Sequence, residues 1–178
     1  MKAVIMSKPV LTDGFSSVDI QYAHQQWQQL YDLILKFDVP IYRLPSVPYI
    51  DNFFALSRHG LIYGKHCLLA HNRDARTQYG PYLNAWLSES QHFGSLDTLY
   101  PRHHRDHKHP QLFSGSADTI LVDSTFYMGY GSFTNIEVAN DLTSIMKKRT
   151  VELSLLKPNT HLILPINSCL LYTSDAAD

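Results

Sequence analysis

The stretch "ADTILVDSTFYMGYGSFTNIEVANDLTSIMKKRTVELSLL", residues Ala117–Leu156, decides the fold. Its first part, Ala117–Gly131, holds two short apolar runs broken at Asp123-Ser124, which is the pattern of a β-hairpin. Thr134–Lys148 then places Ile136, Val138, Leu142, Ile145 and Met146 at helical spacing. Thr134 is a natural N-cap for that helix, and Lys147-Lys148 suits the negative end of its dipole. Thr150–Leu156 follows as a strand. Hairpin, helix and strand in that order make a ββαβ unit.

Working outward, Gly60–His71 is another pair of apolar runs, split at Gly64-Lys65, and reads as a second hairpin. Tyr79, Tyr82, Leu83, Trp86 and Leu87 continue at helical spacing, with Pro81 fitting only the first turn. The same hairpin-then-helix order therefore occurs twice, which points to a modular α/β architecture. Towards the N-terminus, Lys2–Met6 reads as a buried strand and Val39–Pro45 as a strand bracketed by prolines. Between them Gln21–Phe37 reads as an amphipathic helix, with Ala23, Trp27, Leu30, Leu33, Ile34 and Phe37 on its apolar face. Ser88–Pro110 is a polar connection. Its His103, His104, His107 and His109 match no standard metal-ligand spacing, and the expectation is a solvated loop without metal.

Composition limits the function classes. The chain is 44% hydrophobic and 17% charged, enough apolar content for a packed core and too little charge for disorder. Its 15 basic and 16 acidic residues nearly cancel, so no electrostatic footprint for nucleic acid or an anionic membrane appears. No apolar stretch approaches the roughly 20 residues a spanning helix needs. Two cysteines build no disulfide framework, and the expected compartment is the cytoplasm. The last ten residues, "CLLYTSDAAD", abandon the preceding pattern and look like a translated sequencing-library adapter. The expected division is a domain over residues 1–168 and a non-native tail over 169–178.

Three stretches together resemble the amidinotransferase and dimethylarginine dimethylaminohydrolase group of guanidino-modifying enzymes. "LPSVPYIDNFF…GLIYGKHCLLAHNRDARTQYGPYLNAWL" resembles that family's P-D-x-V-F turn, G-L-V hairpin and Arg-rich helix start. "LFSGSADTILVDSTFYMGYGSFTN" is similar to its F-E-G-x-G-D-A-L hairpin ending in G-Y-G-x-R-T. "VELSLLKPNTHLILPI" is similar to its V-x-L-x-L…Y-H-L-D-T strand. The resemblance implies a pentein-type α/β propeller built from ββαβ units, here about three of the five blades. It also implies hydrolysis or transfer at a guanidino carbon, with no cofactor and a small guanidino substrate as the partner. In that chemistry a Cys thiolate attacks the guanidinium carbon, a His moves the proton, carboxylates grip the planar cation, and an Arg fixes the substrate carboxylate.

The resemblance assigns His161 as the catalytic proton carrier, and Asp118, Asp51 and Arg73 as substrate-binding residues. Each also has a plain reading: a structural His opening an apolar strand, a polar residue at a hairpin start, a turn-forming Asp and a surface Arg. The departures matter as well. Ser114 stands where the family has Glu, Phe133 where it has Arg, and Ile163 where it has Asp. Ser, Phe and Ile supply neither negative charge nor fork geometry. The alternative is therefore a degenerate pentein that binds a small guanidino or amino-acid ligand without turning it over. The nucleophilic Cys is expected beyond this fragment. Cys67, inside "CLLA", reads as a small core residue.

Overall fold

The structure is a computed structural model, and it describes residues 3–10, 16–47, 56–73, 79–90, 93, 96–102 and 111–155. Two copies of one ββαβ unit dominate. In the first, β3 (Gly60–Tyr63) and β4 (His66–Leu69) form an antiparallel hairpin. Helix α2 (Gly80–Glu89) follows, and β5 (Asp97–Leu99) returns parallel to β4. In the second, β6 (Thr119–Val122) and β7 (Thr125–Tyr130) form the hairpin, α3 (Val138–Met146) follows, and β8 (Arg149–Ser154) runs parallel to β7. Both sheets have their strands in sequence order. Ahead of them, β1 (Val4–Ser7), helix α1 (Ser17–Leu35) and β2 (Ile41–Leu44) make a parallel β-α-β unit, with Val4 opposite Ile41.

Both expected hairpins form with two-residue turns. Tyr63 pairs with His66 across Gly64-Lys65, and Val122 pairs with Thr125 across Asp123-Ser124. Gly64 and Asp123 take left-handed backbone, at φ 58° and 53°. Gly and Asp are among the residues that tolerate it.

Three expectations are corrected. The polar connection Ser88–Pro110 contains β5, a strand created by pairing with β4. Its residues, Asp-Thr-Leu, are too few and too polar to show a period. Helix α1 starts at Ser17 because Ser16 and Asp19 form a reciprocal capping box. The Asp19 N–H donates to Ser16 Oγ and the Ser16 N–H to Asp19 Oδ2, both at 3.1 Å. On its apolar face Trp27, Leu30 and Ile34 pack on Val4 and Met6, whereas Leu33 is exposed, and Phe37 lies in the turn beyond the helix end at Leu35 and is 71% exposed. The third correction is at α3, which starts at Val138 after Glu137 and has no side-chain cap. Thr134 does not cap it, because its hydroxyl is used elsewhere. An unfilled cap costs a helix about 0.5–2 kcal/mol. At the other end Lys147 takes left-handed backbone, at φ 54°, and stops the helix.

The units share their cores. Leu61 and Leu68 of the first ββαβ unit lie in one cluster with Phe126, Met128, Val138 and Leu142 of the second. Leu44 of the β-α-β unit joins Cys67, Leu69, Tyr79, Leu83 and Leu87. An ion pair with a buried carboxylate also crosses between the ββαβ units. The Asp141 carboxylate of α3 accepts the Arg102 backbone N–H at 2.9 Å and lies 3.2 Å from Arg102 Nε.

Candidate functional site

Each ββαβ hairpin is preceded by a single turn of 3-10 helix, Leu56–Arg58 before β3 and Gly115–Ala117 before β6. The repeat thus puts equivalent loops side by side, and they pack closely. Ser116 Oγ donates to the Ser57 carbonyl at 3.2 Å. Gly115 has φ 64°, and a Cβ there would meet Ser57 O at 2.6 Å, Gly60 O at 2.7 Å and Gly60 N at 2.8 Å. Only glycine allows this approach. Beside it, His71 and Phe113 exchange backbone hydrogen bonds, each 2.9 Å long, as an isolated antiparallel bridge.

Asp118 leaves this junction at the start of β6 and is 1% exposed. Its carboxylate is held by the local chain. Thr134 Oγ1 donates to Asp118 Oδ2 at 2.6 Å and accepts the Ser114 N–H at 3.1 Å. The Asp118 carbonyl accepts from Gly129 N at 2.8 Å, which ties it into the hairpin. The Phe133–Asn135 segment is stitched in turn to the segment entering the junction. Asn135 N donates to Leu112 O at 2.9 Å, and Asn135 Oδ1 accepts the Leu112 N–H. A carboxylate buried to this degree requires such donors, since desolvation without them is prohibitive.

Of the other residues assigned from sequence, Arg73 is exposed, two positions past the His71–Phe113 bridge. Asp51 and His161 lie outside the described residues, as does the His103–His109 cluster. Among the described residues no group of His, Cys, Asp or Glu gathers as a metal-ligand set. Cys67 is fully buried, and burial pushes its thiol up to about 12, so it is no nucleophile at neutral pH. Ser114, where the sequence resemblance expects a Glu, is buried, and Phe133, where it expects an Arg, is half-buried.

The structure adds a residue that sequence reading missed. His59, between the Leu56–Arg58 turn and β3, is 1% exposed and stacks on buried Tyr79, with ring centroids 4.8 Å apart at 18°. Its place before Gly60 gave no periodic signal.

A cleft of about 510 Å³ lies elsewhere, between β5 and the end of α3, lined by His66, Asp97, Ser144 and Lys147 among others. His66 Nδ1 is 3.6 Å from Oδ2 of its cross-strand neighbour Asp97, on the β4–β5 wall of the cleft. The cleft shares no residue with the Asp118 cluster, and none of its lining residues is fully buried. The Asp118 junction is the better candidate, because a fixed, buried carboxylate is what cation recognition requires.

No protein-family model and no curated protein sequence matches the chain. Solved structures do. The N-terminal domain of ArgZ, an arginine dihydrolase from the ornithine–ammonia cycle in cyanobacteria, was solved as a mutant bound to substrate. It matches at TM-score 0.73 and 18% identity over 88% of this chain and 59% of that one. AgrE, in a ternary complex with ornithine and NAD+, matches at TM-score 0.72 and 21% identity over 91% of this chain and 24% of that one. A dimethylarginine dimethylaminohydrolase adduct with S-methyl-L-thiocitrulline matches at TM-score 0.66 and 17% identity over 88% and 63%. The chain spans about three fifths of the length of the ArgZ domain it matches. Matching all three at TM-scores of 0.66–0.73 over 88–91% of its length, the chain has a pentein-type α/β fold.

Proposed function

We propose that the chain belongs to a guanidino-group hydrolase or transferase, with Asp118 as a ligand to the substrate cation. The observation that carries this is the buried, hydrogen-bonded Asp118 carboxylate at the junction of two repeats, in a fold whose solved examples include an arginine dihydrolase and a dimethylarginine dimethylaminohydrolase. In this reading Asp118 and Asp51 grip the planar guanidinium by paired charge-assisted hydrogen bonds, and Arg73 takes the substrate carboxylate. A thiolate adds to the guanidinium carbon, and the departing amine takes its proton from His161. Water then adds to the resulting thiouronium and gives its proton to His161, and the thiolate leaves with a ureido product formed. In a transferase an acceptor amine takes the place of water. The thiolate comes from a cysteine other than Cys67, which is excluded by its burial. The cytoplasm is the compartment that suits this thiol chemistry; among the described residues no helix is long and apolar enough to cross a membrane.

The test is citrulline or amine release from arginine, dimethylarginine and agmatine by the full-length gene product. The expected result is weak turnover, abolished in Asp118→Asn and His161→Ala. Ser114 removes one charge-assisted bond relative to a Glu, worth about 1.5–3 kcal/mol. Turnover that survives both substitutions refutes the assignment. The alternative, a binding protein without turnover, is favoured by Ser114 and Phe133 at positions where the resemblance expects Glu and Arg. Saturable arginine binding with no product would establish it.

A further inference from the structure

The Thr134 hydroxyl carries one proton, and its surroundings dictate where that proton goes. The Ser114 N–H points at Thr134 Oγ1, so the oxygen accepts there and donates to Asp118 Oδ2. The residue is 1% exposed. Its backbone is held on both sides, with Gly131 N donating to the Thr134 carbonyl at 2.9 Å and Asn135 clamped to Leu112. The hydroxyl is therefore a rigid, one-directional donor. It is also neutral. A neutral donor helps to orient a carboxylate and brings no opposing charge of its own, whereas an Arg or Lys in the same place would bring one.

That distinction matters for what the carboxylate can select. A guanidinium is flat, and its paired N–H groups reward a carboxylate held in their plane. An ammonium is a point charge with rotating donors and makes no demand on the plane. We propose that Thr134 is a positioning residue that sets the preference for guanidino over ammonium ligands, acting through the orientation of Asp118. This rests on the assignment of Asp118 to the substrate cation.

The experiment compares L-arginine with L-lysine by calorimetric titration of the full chain, in the wild type, Thr134→Val and Thr134→Ser. Loss of the hydroxyl in Thr134→Val is expected to weaken arginine binding about tenfold and to leave lysine binding within about twofold. Thr134→Ser, which keeps the donor, should retain the wild-type ratio. Equal losses for both ligands would mean a merely structural role, and unchanged arginine binding would mean none; either overturns the proposal. So does a Thr134→Ser variant that behaves like Thr134→Val. Failure of the wild type to bind arginine sinks the assignment of Asp118 itself, and Thr134 falls with it. If Thr134→Val does not fold, the wild-type hydroxyl proton is read by NMR. The expected signal is protected from solvent exchange, and further protected by arginine but not by lysine. Exchange unaffected by arginine counts against the proposal.

Discussion

Replacing Gly115 by Ala tests the junction directly. The new Cβ would sit 2.6–2.8 Å from Ser57 O, Gly60 O and Gly60 N. All three are backbone atoms, so no side chain can turn away to make room. Two costs add. Left-handed backbone, at φ 64° here, costs an L-residue about 1–2 kcal/mol, and overpacking a closed site costs about 1–3 kcal/mol. The two 3-10 turns must separate, which also endangers the bond from Ser116 to Ser57. The expected loss is about 2–5 kcal/mol, a large share of a domain's stability. Gly64→Ala is the internal standard. Gly64 has a similar φ of 58°, but a methyl group added there would meet nothing within 4 Å, so it should lose only the conformational cost of about 1 kcal/mol. Urea unfolding of both variants, followed by circular dichroism, measures the difference. Equal destabilisation of the two would refute the claim that close approach, rather than backbone strain, reserves residue 115 for glycine. A Gly115→Ala chain that folds should also lose arginine affinity, since Asp118 is three residues further on.

Other outcomes follow from particular sites. Cys67 should stay unlabelled by a thiol reagent at pH 8 in the native chain and react in urea, as read by peptide mass spectrometry, because burial holds its thiol protonated up to about 12; fast native labelling would show that β4 opens. The Asp19 carboxylate is held below its ordinary value of 3.8 by hydrogen bonds from the Ser16 side chain and backbone. Its folded value is depressed, so its stabilising contribution is present above pH 3.8 and lost as pH falls through the folded value. Ser16→Ala should therefore be less stable than wild type at pH 7, with the gap narrowing below pH 3.8; a gap that widens in acid would refute the capping account. Sequencing the source gene across codon 168 is expected to show coding sequence other than that for Cys169–Asp178, and finding those ten codons uninterrupted would refute the proposed division.

Much of the fold was legible because hairpin turns are local events. Gly64-Lys65 and Asp123-Ser124 announce left-handed backbone from their own chemistry, and each strand register follows from its turn. What sequence could not show was created by tertiary partners. Strand β5 exists because β4 offers it an edge, and Asp97–Leu99 carries no pattern of its own. Thr134 is an excellent N-cap by type, yet a buried carboxylate sixteen positions upstream takes its hydroxyl. Asp118 was indicated by its resemblance to a family motif, but its burial and the direction of its hydrogen bond belong to the fold. His59 left no trace in the periodicity, since the residue before a hairpin lies outside any repeat that a pattern can reveal. The first turn of α1 was missed for a simpler reason: its apolar residues Val18 and Ile20 lie two apart, which fits no helical period, and only the Ser16–Asp19 box marks where it begins.

The clusters that join Leu61 and Leu68 to Phe126 and Leu142, and Leu44 to Cys67 and Leu83, have a consequence for how the chain comes apart. Detaching any one repeat strips apolar surface from its neighbour, so partial opening exposes two faces instead of one. Cooperativity then extends along the repeats, and a protease must wait for a concerted opening before it finds an extended substrate. A nick at Asp123-Ser124 would leave both pieces clasped together.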